Sequence, residues 1–131
     1  AKYSDLTLNE IVITGSNLNS LNIMTTLENL NIESDDAVIL YYSGHGYRTD
    51  NPKDNVWPDV ALPGWKGINL EYMTEVLINK NPRFILSIAD ICNNVIPEKY
   101  APETLIKRDL NHHLSQTNLN QFYSAFAISI H

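Results

Sequence analysis

The sequence predicts an α/β fold, with a mostly parallel β-sheet between layers of helices. Four short apolar runs are typical of strands and lie at residues 10–15, 36–43, 83–90 and 124–130. The two middle runs are almost continuous in apolar residues, as expected for strands that are covered on both faces. Helical patterns separate the runs, and this alternation implies right-handed crossovers and a parallel sheet with helices on both faces.

Two helices are predicted because apolar residues recur at helical spacing. The first begins at Asn19 or Ser20, since either residue can serve as its N-cap. Its apolar positions are Leu21, Met24, Leu27 and Leu30. The second begins after the N-cap residue Asn69 and ends before Asn81, because a residue that precedes a proline disfavours the helical conformation. Its apolar positions are Leu70, Met73, Val76 and Leu77.

The segment 47–67 is rich in turn-forming residues and is predicted to be one long loop. These residues are Pro52, Pro58, Pro63, Gly64 and Gly67. The segment follows the second apolar run at the C-terminal edge of the predicted sheet, where ligands bind in open α/β proteins. Two tryptophans of this segment, Trp57 and Trp65, are predicted to hold the loop down; the alternative is that they line a substrate cleft.

Length and composition indicate one soluble globular domain that spans residues 1–131. Hydrophobic residues make up 44% of the chain and charged residues 18%, so disorder is not expected. The net charge is −6 and the nine basic residues are scattered, which argues against a nucleic-acid partner. No apolar run approaches the length of a membrane span, so no membrane partner is expected and a cytoplasmic location is predicted.

No cofactor and no metal are predicted. Cys92 is the only cysteine, which excludes an internal disulfide and a metal site built from several cysteines. His112 and His113 are adjacent, so on a helix their side chains diverge and a solvated surface is predicted for them. The acidic residues of the predicted loop lack the spacing of an EF-hand; they are Asp50, Asp54 and Asp59.

Two reactive side chains follow the two middle strands. His45 stands between Gly44 and Gly46 directly after one strand and is predicted to lie on an open turn, while Cys92 follows the other strand. Parallel strands end at the same edge of a sheet and neighbours lie about 4.8 Å apart, so the two side chains are expected to face each other across a cleft. The alternatives are a histidine that only serves the turn and a cysteine that is buried in the core.

These motifs together resemble those of a known family. The segment 42–46, Tyr-Ser-Gly-His-Gly, followed 47 positions after its histidine by Cys92 in an Asp-Ile-Cys motif, is similar to the His/Cys dyad of caspase-like cysteine peptidases (peptidase C14). The Asp-x-Cys form is closer to metacaspases and bacterial caspase homologues, and the resemblance covers roughly residues 10–130. It implies a three-layer caspase-like fold that is incomplete at both ends of this chain. Metacaspases carry His-Ser-Gly where this chain has Asn93-Asn94-Val95.

The resemblance implies a cysteine endopeptidase that acts on a peptide or protein substrate. Cys92 would be the nucleophile and His45 the general base and then the general acid. The backbone N–H groups of Gly46 and Cys92 would form the oxyanion hole. Asp90 would lie in the primary pocket and bind Lys or Arg, which predicts cleavage after basic residues. Ser43 borders the site and is a candidate for substrate binding.

Several alternatives remain open at this stage. Asp90 could instead cap the turn that follows its strand, and Ser43 could simply bond to backbone. Arg48 could serve a pocket that accepts aspartate. The chain as a whole could be a catalytically silent caspase-like module that binds a protein partner through the same groove. It could also be a non-peptidase α/β domain in which Cys92 is a core residue.

Overall fold

The structure is a computed structural model of the chain, in which residues 6–51 and 57–104 are described. These residues form an α/β fold with a parallel pair of strands, which confirms the predicted fold class. The helices are α1 (Ser20–Asn29) and α2 (Leu70–Ile78). The strands are β1 (Ala37–Ser43), β2 (His45–Thr49), β3 (Asp59–Leu62), β4 (Lys66–Asn69), β5 (Phe84–Asp90), β6 (Asn94–Ile96) and β7 (Glu103–Thr104).

The two middle apolar runs form β1 and β5, which pair in parallel as predicted. The register begins with Ala37 opposite Phe84 and ends with Ser43 opposite Asp90. Burial alternates along β5, since Ile85, Ser87 and Ala89 are buried and the residues between them are not. This alternation is typical of a strand with one face on the core, because successive side chains point to opposite faces of a sheet.

Both predicted helices are present, with the predicted N-caps. The side chain of Asn19 accepts a hydrogen bond from the backbone N–H of Asn22, and that of Asn69 accepts one from the N–H of Glu71. Such caps satisfy backbone donors that have no partner within the helix. The apolar faces of α1 and α2 share one core with β5; its buried members include Ile23, Met24, Leu27, Leu70, Met73, Leu77, Ile85 and Ala89. Leu21 was predicted to belong to the apolar face of α1 but is 73% exposed, and Ile23 is buried in its place.

A polar contact inside this core links α2 to β5. The Thr74 hydroxyl donates to the Leu70 carbonyl and lies 2.8 Å from the Ser87 hydroxyl, with both side chains buried. The proton of Thr74 is already engaged, so Ser87 donates and Thr74 accepts. The other face of the β1–β5 pair carries exposed Ile39, Tyr41 and Phe84, and no helix formed by residues 6–51 and 57–104 covers it. Within these residues, the strands are therefore covered on one face and not on both faces as predicted.

The prediction of one long loop at residues 47–67 is wrong, because much of this segment forms β-strands. A second sheet has the strand order β6-β2-β3-β4-β7, in which β2, β3 and β4 pair antiparallel and the outer strands pair in parallel. Val60, Leu62 and Ile68 are buried in the core, which stabilises these short strands. The turn signals Pro63 and Gly64 belong to the short connection between β3 and β4 and not to a long loop.

The strand predicted at residues 10–15 is also wrong. Residues 6–14 have no regular secondary structure, and Gly15–Asn17 form a 3-10 turn. Ile11 is 58% exposed and Val12 68% exposed, while Ile13 packs against the core. A strand requires a neighbour that completes its hydrogen-bond ladder, and no strand in the described part of the chain pairs with these residues.

Some predictions lie outside the described residues. These are the strand at 124–130, the surface position of His112 and His113, and the position of Asp54.

Candidate active site

The register of the strands places His45 and Cys92 together, just beyond the C-terminal ends of β1 and β5. The β1–β5 ladder pairs residues that are 47 positions apart, from 37 with 84 to 43 with 90. The β2–β6 ladder has the same offset, from 47 with 94 to 49 with 96. His45 and Cys92 are also 47 positions apart and occupy the break between the two ladders. The chain segments on either side of the break therefore keep these two residues in register.

Cys92 is exposed and follows a residue that is anchored in the core. Asp90 is exposed, Ile91 is buried and Cys92 is exposed again, so the alternation of β5 continues beyond the end of the strand. Cys92 is a free thiol. The alternative in which it is a buried core residue is thereby excluded.

His45 is the first residue of β2, where it pairs with Ala61 of β3. The prediction of an open turn is therefore wrong, because β2 begins directly after Gly44 and a neighbouring strand holds the histidine. The side chain of His45 is exposed. Among the described residues, no hydrogen bond joins its imidazole to the thiol of Cys92. Hydrogen bonds of catalytic groups are often long or unformed before substrate binds.

Gly46 lies against the segment that carries the cysteine. A Cβ atom at position 46 would stand 2.6 Å from Cδ1 of Ile91 and 2.8 Å from the carbonyl oxygen of Cys92. These distances are too short for any side chain. The glycine is thus required by the close approach of β2 to the chain around Cys92.

The glycine on the other side of His45 is explained by Tyr42. A Cβ atom at Gly44 would lie 2.7 Å from the hydroxyl of Tyr42. That hydroxyl donates a hydrogen bond of 3.1 Å to the carbonyl of Ala61, which joins β1 to β3. Burial raises the pKa of Tyr42 above its usual value of 10.0, so the phenol stays protonated and remains a donor. Sequence reasoning missed this role, since nothing local connects Tyr42 with Ala61.

Asp90 and Ser43 form the last register pair of the β1–β5 ladder, and both are exposed. The carbonyl of Asp90 accepts a hydrogen bond of 3.2 Å from the N–H of Gly44, which extends the ladder to the residue before His45. The exposed positions of Asp90 and Cys92 alternate with buried Ile91. Asp90, Cys92 and Ser43 therefore lie at one edge of the molecule.

The two tryptophans of segment 47–67 differ from each other. Trp57 is partly buried and packs against the core, as predicted for an anchor. Trp65 is 63% exposed, so the prediction that it anchors the segment is wrong. It lies in the connection between β3 and β4.

Two polar side-chain atoms near the site are buried without a hydrogen-bond partner. They are Nε of Arg48 and Oδ1 of Asn93, the residue after the cysteine.

No group of acidic, histidine or cysteine side chains within residues 6–51 and 57–104 has the geometry of a metal site. In the same residues, no helix has the length and apolar character needed to cross a membrane.

Comparison with known proteins identifies the family. No curated protein and no solved structure was found to match the chain. The family model of the caspase domain, peptidase C14, matches residues 6–125 and includes both the Gly-His-Gly segment and the Asp-Ile-Cys segment. Because this match covers most of the 131 residues, the chain belongs to the caspase domain family and is a cysteine peptidase-like module.

Proposed function

We propose that this chain is a cysteine endopeptidase in which Cys92 attacks the peptide carbonyl and His45 transfers the proton. The single observation that carries the proposal is the shared offset of 47 residues, which aligns His45 with Cys92 at an exposed edge between two ladders. The exposure of both side chains supports it further, since a substrate must reach them.

The reaction follows from the chemistry of the two side chains. His45 accepts the proton of the Cys92 thiol, because the thiolate is the attacking species. The sulfur forms a bond to the carbonyl carbon, and the resulting tetrahedral intermediate expels the amine, to which His45 returns the proton. A water molecule, deprotonated by His45, then hydrolyses the thioester and regenerates the free cysteine.

The oxyanion of the tetrahedral intermediate needs positioned hydrogen-bond donors. We assign this role to the backbone N–H groups of Gly46 and Cys92. The direct packing of Gly46 on the Cys92 carbonyl supports the assignment, because it keeps the two backbone segments at a constant separation. Backbone donors that are held in this way need no reorganisation during the reaction.

We assign the recognition of the substrate residue before the scissile bond to Asp90, with Ser43 beside it. A carboxylate at this position favours Lys or Arg, and it can accept two parallel hydrogen bonds from a guanidinium group. The assignment is supported by the exposed position of Asp90, two residues before Cys92 and on the same side of the chain. The expected reaction is therefore cleavage after basic residues.

The test is active-site labelling with peptidyl chloromethyl ketones that end in Arg, Lys or Asp. Cys92 is the only cysteine of the chain, so mass spectrometry reports modification of this thiol directly. We expect labelling by the Arg and Lys reagents, its loss in Cys92→Ala, and a large decrease in rate in His45→Ala. Iodoacetamide serves as the control reagent, because it reports the accessibility of the thiol without peptide recognition.

Two results would contradict the proposal in different ways. Labelling by the Asp reagent alone would show that the specificity is wrong and would favour a role for Arg48. Equal reactivity of the native chain and His45→Ala towards every peptidyl reagent would mean that His45 does not activate Cys92. A catalytically silent module that binds a partner through the same groove would then be the better description.

A further inference from the structure

The connection between β3 and β4 places a large apolar side chain in solvent. Leu62 pairs with Lys66, so the hairpin turns within Pro63, Gly64 and Trp65. Gly64 has a φ of 77° and Trp65 a φ of 56°, which lie in the left-handed region. Trp65 is 63% exposed. The side chain therefore contributes little to the core.

Tryptophan is an unusual residue for this conformation. A left-handed backbone brings Cβ close to the following carbonyl, and bulky residues adopt it seldom. The other described non-glycine residue with a positive φ is Asn81, and asparagine tolerates this region well. The indole is not buried in the core, and the left-handed backbone that carries it is strained. Such outliers are concentrated at ligand contacts.

The elements on both sides hold the hairpin tip in place. Leu62 and Ile68 are buried, and Lys66 forms an ion pair with Glu103 of β7. The strands thus present Trp65 from a fixed position.

The register places this tip on the His45 side of the candidate site. His45 pairs with Ala61, and Ala61 pairs with Gly67, so β3 and β4 continue the sheet away from β6. β3 runs antiparallel to β2, so the C-terminal end of β3 lies beside His45, where β2 begins. The hairpin tip follows directly after this end of β3. Two strand spacings separate His45 from Gly67, which is about 10 Å. A bound peptide covers this distance with roughly three residues, which are the residue before the scissile bond and the two residues after it.

The direction of the substrate follows from the proposed function, on which this inference rests. His45 gives its proton to the leaving amine, so the half of the substrate that leaves must lie on the His45 side of Cys92. We propose that Trp65 binds the first or second substrate residue after the scissile bond and favours a large apolar or aromatic side chain there. An exposed indole provides the apolar area and the π-face for such a contact.

The experiment compares two peptide substrates that are identical up to the scissile bond. One carries Phe at both positions after the bond and the other carries Gly at both. We expect the native chain to cleave the Phe peptide with a kcat/KM about tenfold higher, which is typical of one apolar contact. Trp65→Asn, in which asparagine tolerates the positive φ, should abolish this preference, and Trp65→Phe should retain most of it.

A matched control is Tyr100→Asn. Tyr100 is 61% exposed and follows β6, at the end of the sheet opposite to Cys92. This variant should keep the tenfold preference. Thermal unfolding of all variants verifies that they are folded at the assay temperature.

An Arg chloromethyl ketone separates failure of this inference from failure of the proposed function, because the reagent has no residue after the scissile position. If it labels Cys92 equally in the native chain and in Trp65→Asn while the Phe preference persists in the variant, the inference is wrong. A loss that is equal for both peptides and for the reagent also overturns it, since Trp65 would then act on the whole site. If the reagent does not label the native chain, the proposed function fails, and the inference fails with it.

Discussion

Gly46 contacts the carbonyl of Cys92 so closely that a Cβ atom at position 46 would lie 2.8 Å from the oxygen. The same Cβ would also meet the buried side chain of Ile91. The glycine after the histidine and the residues around the cysteine are therefore one packed unit. We expect the separation of the two proposed catalytic side chains to depend on this contact.

Gly46→Ala should accordingly impair both the site and the stability. The new methyl group meets backbone and a core residue, which cannot give way easily, so we expect a loss of about 1–3 kcal/mol in the free energy of unfolding. We also expect labelling of Cys92 by the Arg reagent to slow by about 10- to 100-fold, because a displacement of this size misaligns reacting groups. The measurements are urea denaturation and labelling kinetics.

The control is Gly15→Ala, where no atom lies within 4 Å of the new Cβ but φ is 59°. This variant should lose about 1 kcal/mol through the backbone alone and should be labelled at the native rate. Native labelling kinetics in Gly46→Ala would show that the contact does not position Cys92.

Asp90→Asn should remove the proposed preference for basic residues while it preserves the fold. The side chain is exposed and the variant keeps its shape, so we expect labelling by the Arg reagent to slow by about tenfold or more through loss of the charge-assisted pair. Labelling by a reagent that ends in a neutral residue should not change. Asp35→Asn is the matched control. Asp35 is exposed and precedes the N-terminal end of β1, whereas the candidate site lies at the C-terminal end of that strand. A stability loss in Asp90→Asn without a change in selectivity would favour the turn-capping role.

Tyr42→Phe should weaken the link between β1 and β3. Removal of the hydroxyl that bonds to the Ala61 carbonyl should lower the free energy of unfolding by about 1 kcal/mol near neutral pH. Tyr41→Phe, at an exposed neighbouring position, should change it by less than about 0.5 kcal/mol. Equal effects of the two substitutions would contradict a structural role for the Tyr42 hydrogen bond.

The same residue predicts a dependence of stability on pH. Burial raises the pKa of Tyr42 above 10.0, so above this pH the unfolded chain releases a proton that the folded chain retains. The contribution of Tyr42 is complete below about pH 10 and is lost as the pH rises through its pKa in the folded state. Urea denaturation between pH 8 and 11 should show a steeper loss of stability in the native chain than in Tyr42→Phe. Identical slopes would mean that the phenol is not desolvated on folding.

Lys80 should stabilise the C-terminal end of α1. Its ammonium group donates to the carbonyl oxygens of Glu28 and Leu30 at 2.6 and 2.8 Å. Lys80→Met retains most of the aliphatic part of the side chain but loses both hydrogen bonds and the favourable interaction with the helix dipole, so we expect a loss of about 1–2 kcal/mol. In the control, Lys66→Met, an exposed ion pair with Glu103 is lost and the cost should be below about 1 kcal/mol. Equal costs in thermal unfolding would show that Lys80 contributes no more than a surface charge.

The parts of the fold that depend on local pattern were predictable. The strands β1 and β5 follow from continuous apolar runs, and α1 and α2 follow from helical spacing with Asn19 and Asn69 as caps. The two motifs around His45 and Cys92 could also be linked from the sequence, because their separation of 47 residues is typical of the family. The parts that failed depend on distant partners. Residues 10–15 have the composition of a strand but lack a described neighbour to pair with, and segment 47–67 has the composition of a loop but forms three paired strands.

The sequence by itself indicated the family, the α/β class, the N-terminal caps of both helices and the two candidate reactive side chains. Only the tertiary structure decided that His45 begins a strand, that Gly44 and Gly46 are required by Tyr42 and by the chain around Cys92, and that Trp65 is exposed. The physical reason is the range of the interactions. Helix caps and apolar periodicity involve residues a few positions apart, so a short stretch of sequence is enough to recognise them. A strand ladder, a close backbone approach or the burial of an aromatic ring depends on residues that are far away in the chain.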